Sequence, residues 1–337
     1  MPPHKKMHRT NNHWGLILAA GDGTRLQGYV KRLKGRQLPK QYVNFIGRRS
    51  MLEHTFARVE KLIPPAKIFT IVAKHHLQHR EVRRQLTSCD RGTVIVQPAN
   101  KETGPGILLP LMYLYKRCPG AIVSVFPSDH FILEEDRFMD YVDLAAKAVA
   151  SNPSDIVLLA TEAQGPEVEY GYIAPHDSSS ELRLYGTRPV ARFVEKPAKA
   201  VADHLIESGG LWNTMVMVFK VKTVLEMFEQ IHPVVFRQFC QILDAIGTSH
   251  EQETIDQVYQ NLTPMNFSKG FLEQLSALYP RAIHVMPVLQ VFWSDWGSRQ
   301  RILEARQVLK RAGRGKPQPK ALSDEPDERT AGTTVCA

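Results

Sequence analysis

The sequence predicts an α/β protein built on a doubly wound, mostly parallel or mixed sheet with a small mixed-β extension. Three observations carry this reading. Short runs rich in Val, Ile and Leu alternate with helical patterns up to about residue 161. These runs are continuous rather than alternately apolar and polar, so both faces of each strand need covering, as helices cover a parallel sheet. Beyond Thr161 strand-like runs follow one another with less helix between them, which reads as a mixed-sheet extension.

The elements follow in order. Trp14–Ala19 is an apolar run ended by a glycine loop, and Ser50–Ile63 has helical periodicity. Lys67–Ala73, Thr93–Val96, Ala121–Phe126 and Ile156–Thr161 read as further buried strands. Between them His75–Leu86, Ile107–Arg117 and Arg137–Ala150 read as helices. Tyr170–Pro175, Val190–Glu195 and Met215–Phe219 are the strands of the extension. Leu225–Ile246 and Phe271–Leu278 are helical, Ala282–Val288 and Val291–Trp293 return to strand, and Ser298–Ala312 closes as helix. No internal repeat or linker divides residues 13–311, so one continuous domain is expected there. Residues 1–12 are expected to be a flexible basic tail and 312–337 a disordered one, because neither has apolar periodicity.

The net charge of +9 over 337 residues raises the question of an anionic partner: nucleic acid, a membrane surface or a phosphorylated small molecule. Arg25, Lys31, Arg32, Lys34, Arg36, Lys40, Arg48 and Arg49 follow one another with no acidic residue between them. A solvated basic face is the ordinary explanation of such a run, but this one begins inside a glycine loop. The four cysteines have neither CxxC nor metal-ligand spacing, which suits a reducing cytosol. The polar first residues resemble no secretory leader, and Leu16–Ala20 is too short to span a bilayer. A cytoplasmic protein without a membrane partner is expected. Nucleic-acid binding would need a basic stripe with stacking aromatics, and none is evident.

Gly21 and Gly23, in Gly21-Asp-Gly-Thr-Arg25-Leu26, let the backbone approach a ligand and turn N–H groups toward it, as phosphate nests do. Arg25 adds a forked donor suited to phosphate oxygens. A dinucleotide loop would need a third glycine where Leu26 stands, and a P-loop would need Gly-Lys-Ser/Thr. A tight turn alone needs neither Thr24 nor Arg25. The loop by itself leaves these alternatives open.

With Pro39-Lys-Gln-Tyr42 added, the stretch from Ala20 resembles the signature of the sugar nucleotidyltransferase family, nearest its mannose-1-phosphate guanylyltransferase branch. Further matches follow in the family's order: Gln97–Gly106, Phe126-Pro-Ser-Asp-His130, Tyr170-Gly-Tyr-Ile-Ala174, Phe193-Val-Glu-Lys-Pro197, Leu211-Trp-Asn213 and Trp293-Ser-Asp-Trp-Gly297. The resemblance implies the Rossmann-like nucleotide-diphospho-sugar transferase fold. It also implies the transfer of a nucleotidyl group from an NTP, GTP favoured, to a sugar 1-phosphate, with release of pyrophosphate. Arg25 is then expected on the β- and γ-phosphates, and Gly21, Gly23 and Thr24 beside the nucleotide. Lys40 would neutralise the α-phosphate as it reacts. Asp129 and Asp295 would hold Mg²⁺, as hard carboxylates do. Gln97, Pro98 and Gly104 would flank the base. Gly171, Glu195, Lys196 and Asn213 would meet the sugar phosphate, with Lys196 on the phosphate and Glu195 and Asn213 on hydroxyls. His130 is expected to support its neighbours rather than react. Arg25, Lys40 and Asp129 form the catalytic set. Whether the chain is a homo-oligomer is left open.

The match departs from the family in places. Asp22 stands where glycine is common and is expected to point outward or to orient Arg25. The Arg25–Lys40 spacing is long, and Thr214-Met215 replaces Ser-Gly, setting a bulky side chain near the sugar. The chain is expected to lack the C-terminal isomerase domain of bifunctional relatives. A different sugar or base, and a regulatory relative that binds nucleotide sugars without turnover, are the alternatives; the latter should lack the charged set.

Overall fold

The computed structural model describes residues 12–90, 92–176 and 184–312. The tails expected to be flexible fall outside them except for Asn12 and Ala312.

Four parallel strands form one half of the sheet: β1 (His13–Leu18), β2 (Ile68–Ala73), β3 (Val94–Gln97) and β4 (Ile122–Pro127). After the short β5 (Phe131–Ile132) come β6 (Ile156–Glu162), β7 (Gly171–Pro175), β8 (Arg188–Glu195), β9 (Leu211–Lys220), β10 (Ile283–Val288) and β11 (Trp293–Ser294). The main sheet has nine strands in the order β3-β2-β1-β4-β9-β6-β10-β8-β7, and β11 pairs with β5 separately. β9 runs antiparallel between β4 and β6, and the β7–β8–β9 pairings are antiparallel too, so the sheet is mixed as expected.

Both faces are covered, as the continuous apolar runs require. Successive residues alternate between two cores: Ile17, Val72 and Phe126 face one, Leu16, Ile71 and Val125 the other. Among the first helices of the chain are the short α1 (Gln27–Lys34), α2 (Met51–Val59), α3 (Arg80–Leu86), the long α4 (Thr103–Arg117) and α5 (Glu135–Ser151). α2 and α5 pack in the first core and α4 in the second. Ser50 starts α2 with a capping box, its hydroxyl accepting from Glu53 N and Glu53 accepting from Ser50 N.

The structure corrects the sequence reading where backbone chemistry breaks a periodic run. His75–Leu86 is a 3₁₀ turn followed by α3. Leu225–Ile246 is two helices, α7 (Val221–Ile231) and α8 (Pro233–Ala245), because Pro233 begins a new helix instead of continuing the old one. The extension also carries α6 (Lys199–Glu207) and α9 (Glu251–Asn261), whose polar faces hid them, before α10 (Glu273–Leu278) and α11 (Arg299–Ala312). No described helix is long and apolar enough to cross a membrane.

Candidate active site

In an open α/β sheet, ligands lodge beyond the carboxyl ends of strands where the winding reverses. Here that point lies between β1 and β4, with β2 and β3 on the far side of β1. Leu18 stands beside Pro127 at the ends of these strands, so the loop carrying Gly21–Leu26 and the segment carrying Asp129 leave the sheet together.

Gly23 adopts a left-handed conformation (φ 59°), and a Cβ there would lie 3.1 Å from Lys40 Cγ. Glycine therefore lets the loop lie against Lys40. The next two residues fix the loop from beneath. Gln41 Nε2 donates to the carbonyls of Ala19 and Gly21, both at 2.8 Å, and Tyr42 Oη donates to Ala19 O at 3.0 Å. The glycine loop and the Pro39–Tyr42 segment are thus one unit in space.

Lys40 is buried, and three oxygens surround its ammonium: Asp129 Oδ2 at 3.0 Å, Asp295 O at 3.0 Å and Trp296 O at 3.3 Å. Trp296 is left-handed (φ 46°), a backbone cost that turns two successive carbonyls onto one cation. Asp295 Oδ1 accepts from Arg301 Nη1 at 2.8 Å, Gly297 N at 2.9 Å and Tyr170 Oη at 3.0 Å. Burial opposes ionisation of Asp295, but Lys40, Arg301 and the Gly297 N–H outweigh it, and its pKa falls below the ordinary value. Beside this cluster His130 is buried, which pushes its pKa down to about 4, and its Nδ1 accepts from Trp293 Nε1 at 3.2 Å. A neutral, hydrogen-bonded ring suits the supporting place expected for it. Arg25, half exposed, pairs with Glu169 at the entrance.

Beyond Tyr170, Glu195 ends β8 opposite Gly171. A Cβ at Gly171 would lie 2.7 Å from Glu195 Oε2, so glycine is required for the two to meet. Burial, and then the charge of Glu273, push the Glu195 pKa up to about 7 against the pull of Lys196. Lys196 is exposed and left-handed (φ 50°), its N–H bonded to Tyr170 O at 3.0 Å. Asn213 lies in β9, and its own Cβ is 3.5 Å from the point a Cβ on Gly171 would occupy. Its Oδ1 accepts from Met215 N at 3.1 Å. Met215, also left-handed (φ 56°), turns its sulfur to Ser268 Oγ at 3.0 Å.

Gln97 ends β3 with a buried Oε1 that has no hydrogen-bond partner among the described residues. Pro98 follows it. Gly104 has a packing reason instead: its N–H donates to Met265 O at 2.8 Å, and a Cβ would lie 2.4 Å from Met265 Cε. Asp22 does not orient Arg25. It turns toward His75, His76 and Asn100, whose side-chain nitrogens all lie within hydrogen-bond reach of its carboxylate. Tyr170, Arg301, Glu169 and Glu273 complete the site without a signal of their own in the sequence; Tyr170 alone stands inside a matched motif. A separate cavity of about 550 Å³ lies behind His130 and Trp296, and none of the expected substrate contacts lines it.

The profile of the nucleotidyl transferase family matches residues 14–311. Xanthan biosynthesis protein XanB of Xanthomonas campestris is 27% identical over 295 residues, covering 87% of this chain and 59% of its own. Mannose-1-phosphate guanylyltransferase 2 of Escherichia coli O157:H7 is 26% identical over 298 residues, covering 85% of this chain and 58% of its own. The chain thus spans somewhat more than half the length of these curated relatives. A crystal structure described as mannose-1-phosphate geranyltransferase from Thermus thermophilus has the same fold, with a TM-score of 0.72 at 22% identity over 91% of this chain and 80% of that one.

Proposed function

The chain belongs to the nucleotidyl transferase family, and on that premise we propose that it joins an NTP to a sugar 1-phosphate, with GTP and mannose 1-phosphate as the favoured pair. The observation that carries this is Lys40, held between Asp129 and the Asp295 backbone where the winding of the sheet reverses. In the reaction an ionised oxygen of the sugar phosphate attacks the α-phosphorus. The new P–O bond forms as the bond to the β-phosphate bridging oxygen breaks, and pyrophosphate leaves with that electron pair. No proton need be removed from the nucleophile, so positioning and charge neutralisation suffice.

Lys40 neutralises the α-phosphate, and Arg25 exchanges Glu169 for the departing phosphates. Gly21, Gly23 and Thr24 line the triphosphate. Gln97 and Pro98, at the end of β3, flank the base, while Gly104 supports that wall through Met265. Glu195 and Asn213 take sugar hydroxyls, Gly171 gives them room, and Lys196 takes the sugar's phosphate.

The donor chemistry at Asp129 and Asp295 fits Mg²⁺. Both are hard carboxylates, and neither Asp129 Oδ1 nor Asp295 Oδ2 has a hydrogen bond from another described residue. Bound there, the ion would offset the repulsion between the two substrates' phosphates. The E. coli relative's name supports GTP and mannose 1-phosphate as the first pair to test. Pyrophosphate release over a panel of NTPs crossed with sugar 1-phosphates should be greatest for that pair and should stop on chelation. No turnover with it would overturn the specificity; none with any pair would overturn the activity.

A further inference from the structure

We infer that Asp22, His75 and His76 form a binding site for a divalent transition-metal ion of the zinc class at the rim of the glycine loop. Asp22 Oδ1 lies 2.7 Å from His75 Nε2 and 3.1 Å from His76 Nε2. These three atoms all fall within 4.8 Å of one another. A tetrahedral zinc ion with bonds of about 2.0 Å sets its ligand atoms about 3.3 Å apart, so modest spreading of the cluster admits the ion. Two imidazoles and one carboxylate suit zinc or cobalt rather than magnesium, which takes oxygens. The site is thereby chemically distinct from the pair Asp129 and Asp295.

The surroundings are those of a ligand set already oriented. Asn100 Nδ2 donates to Asp22 Oδ2 at 2.8 Å, which leaves Oδ1 aimed at the histidines. His76 is fully buried. Its Nδ1 faces Tyr42 Oη at 3.4 Å, while the tyrosine proton goes to the nearer Ala19 O at 3.0 Å. A neutral His76 protonated at Nε2 would therefore set a bare nitrogen against the hydroxyl's lone pairs. With the metal on Nε2 and the proton on Nδ1, both ring nitrogens and the hydroxyl are satisfied together. His75 is half exposed, so water reaches the fourth position. The ion would tie the segment after β1 to the segment after β2, with Gly21 and Gly23 on either side of the ligand Asp22.

The test uses the full chain, stripped with a chelator and titrated with Zn²⁺ by calorimetry and with Co²⁺ by visible absorption. One Zn²⁺ per chain and an intense tetrahedral Co²⁺ band are expected. Asp22→Asn and His75→Ala, each checked for folding by circular dichroism, should each weaken Zn²⁺ binding at least tenfold and remove the band. Asp129→Asn should leave both signals intact, and excess Mg²⁺ should not displace the ion. Absence of stoichiometric Zn²⁺ binding overturns the site, as does binding that both Asp22→Asn and His75→Ala leave unchanged.

Discussion

Two carboxylates of the candidate site, Asp295 and Glu195, are both largely buried, yet they titrate in opposite directions. Asp295 lies among Lys40, Arg301 and the Gly297 N–H, and these hold it ionised despite burial. Glu195 meets burial and the like charge of Glu273 with Lys196 as its main counterweight, and its pKa rises to about 7. Burial has the same sign at both; the partners decide the outcome. The Lys40 side, proposed above for the phosphates, keeps fixed charges. The Glu195 side, proposed for the sugar hydroxyls, keeps a carboxylate whose charge depends on pH near neutrality.

The strongest way to break this contrast is to remove the cation on the phosphate side. Lys40→Met should lower kcat by about 10²- to 10³-fold in the pyrophosphate-release assay, with little change in the KM for sugar phosphate. The variant also leaves Asp129 short of its counter-ion. Lys40→Met/Asp129→Asn, which deletes that leftover charge, should recover thermal stability without recovering turnover. Near-normal kcat in the single variant would remove Lys40 from the catalytic set.

A smaller effect probes the other side. Gly171→Ala puts a methyl 2.7 Å from Glu195 Oε2 and 3.1 Å from Phe193 Cζ. Relieving this overpacking should cost about 1–3 kcal/mol of stability, read by denaturant unfolding. It should also displace Glu195, raising the KM for sugar phosphate about tenfold while sparing the KM for NTP. An equal rise in both would mean that Gly171 serves the fold and not the sugar.

The same division runs through what is legible in the sequence. The phosphate side is readable because its chemistry is local: Gly23 and Lys40 meet through a loop and turn whose residue types are themselves distinctive, and the strands beneath are uninterrupted apolar runs. Asp129 is readable from the strand it follows. The sugar side is assembled by antiparallel pairings among β7, β8 and β9, which no periodicity specifies, and so Glu273 beside Glu195 leaves no trace in the sequence. Arg301 and Tyr170 converge on Asp295 from distant segments, with nothing in spacing to join them. Asp22 is conspicuous as a residue type, but its direction is not legible, because its partners His75, His76 and Asn100 lie on the segments after β2 and β3. Only the parallel register brings them together.

The shallowest effect expected, spread over several pH units, is on pH dependence, where Glu195 and His130 should leave opposite traces in stability. Glu195 binds its proton more tightly in the folded state, since its pKa rises from 4.5 to about 7. Its contribution is therefore full below the lower value and is lost as pH rises through that window, by at most about 1.4 kcal/mol per pH unit. His130 has its pKa lowered from 6.5 to about 4, so its contribution is full above 6.5 and is lost as pH falls. His13 repeats that pattern, lowered to about 4 mainly by burial. Wild-type unfolding free energies from pH 5 to 8 combine these slopes; Glu195→Gln should delete only the first, making the profile rise more steeply with pH between 5 and 7. The same variant should flatten the pH dependence of the KM for sugar phosphate, which in the wild type is expected to rise as pH drops through 7 and Glu195 loses its charge. An unchanged stability profile in Glu195→Gln would mean that Glu195 is ionised throughout this range, and the contrast with Asp295 would collapse.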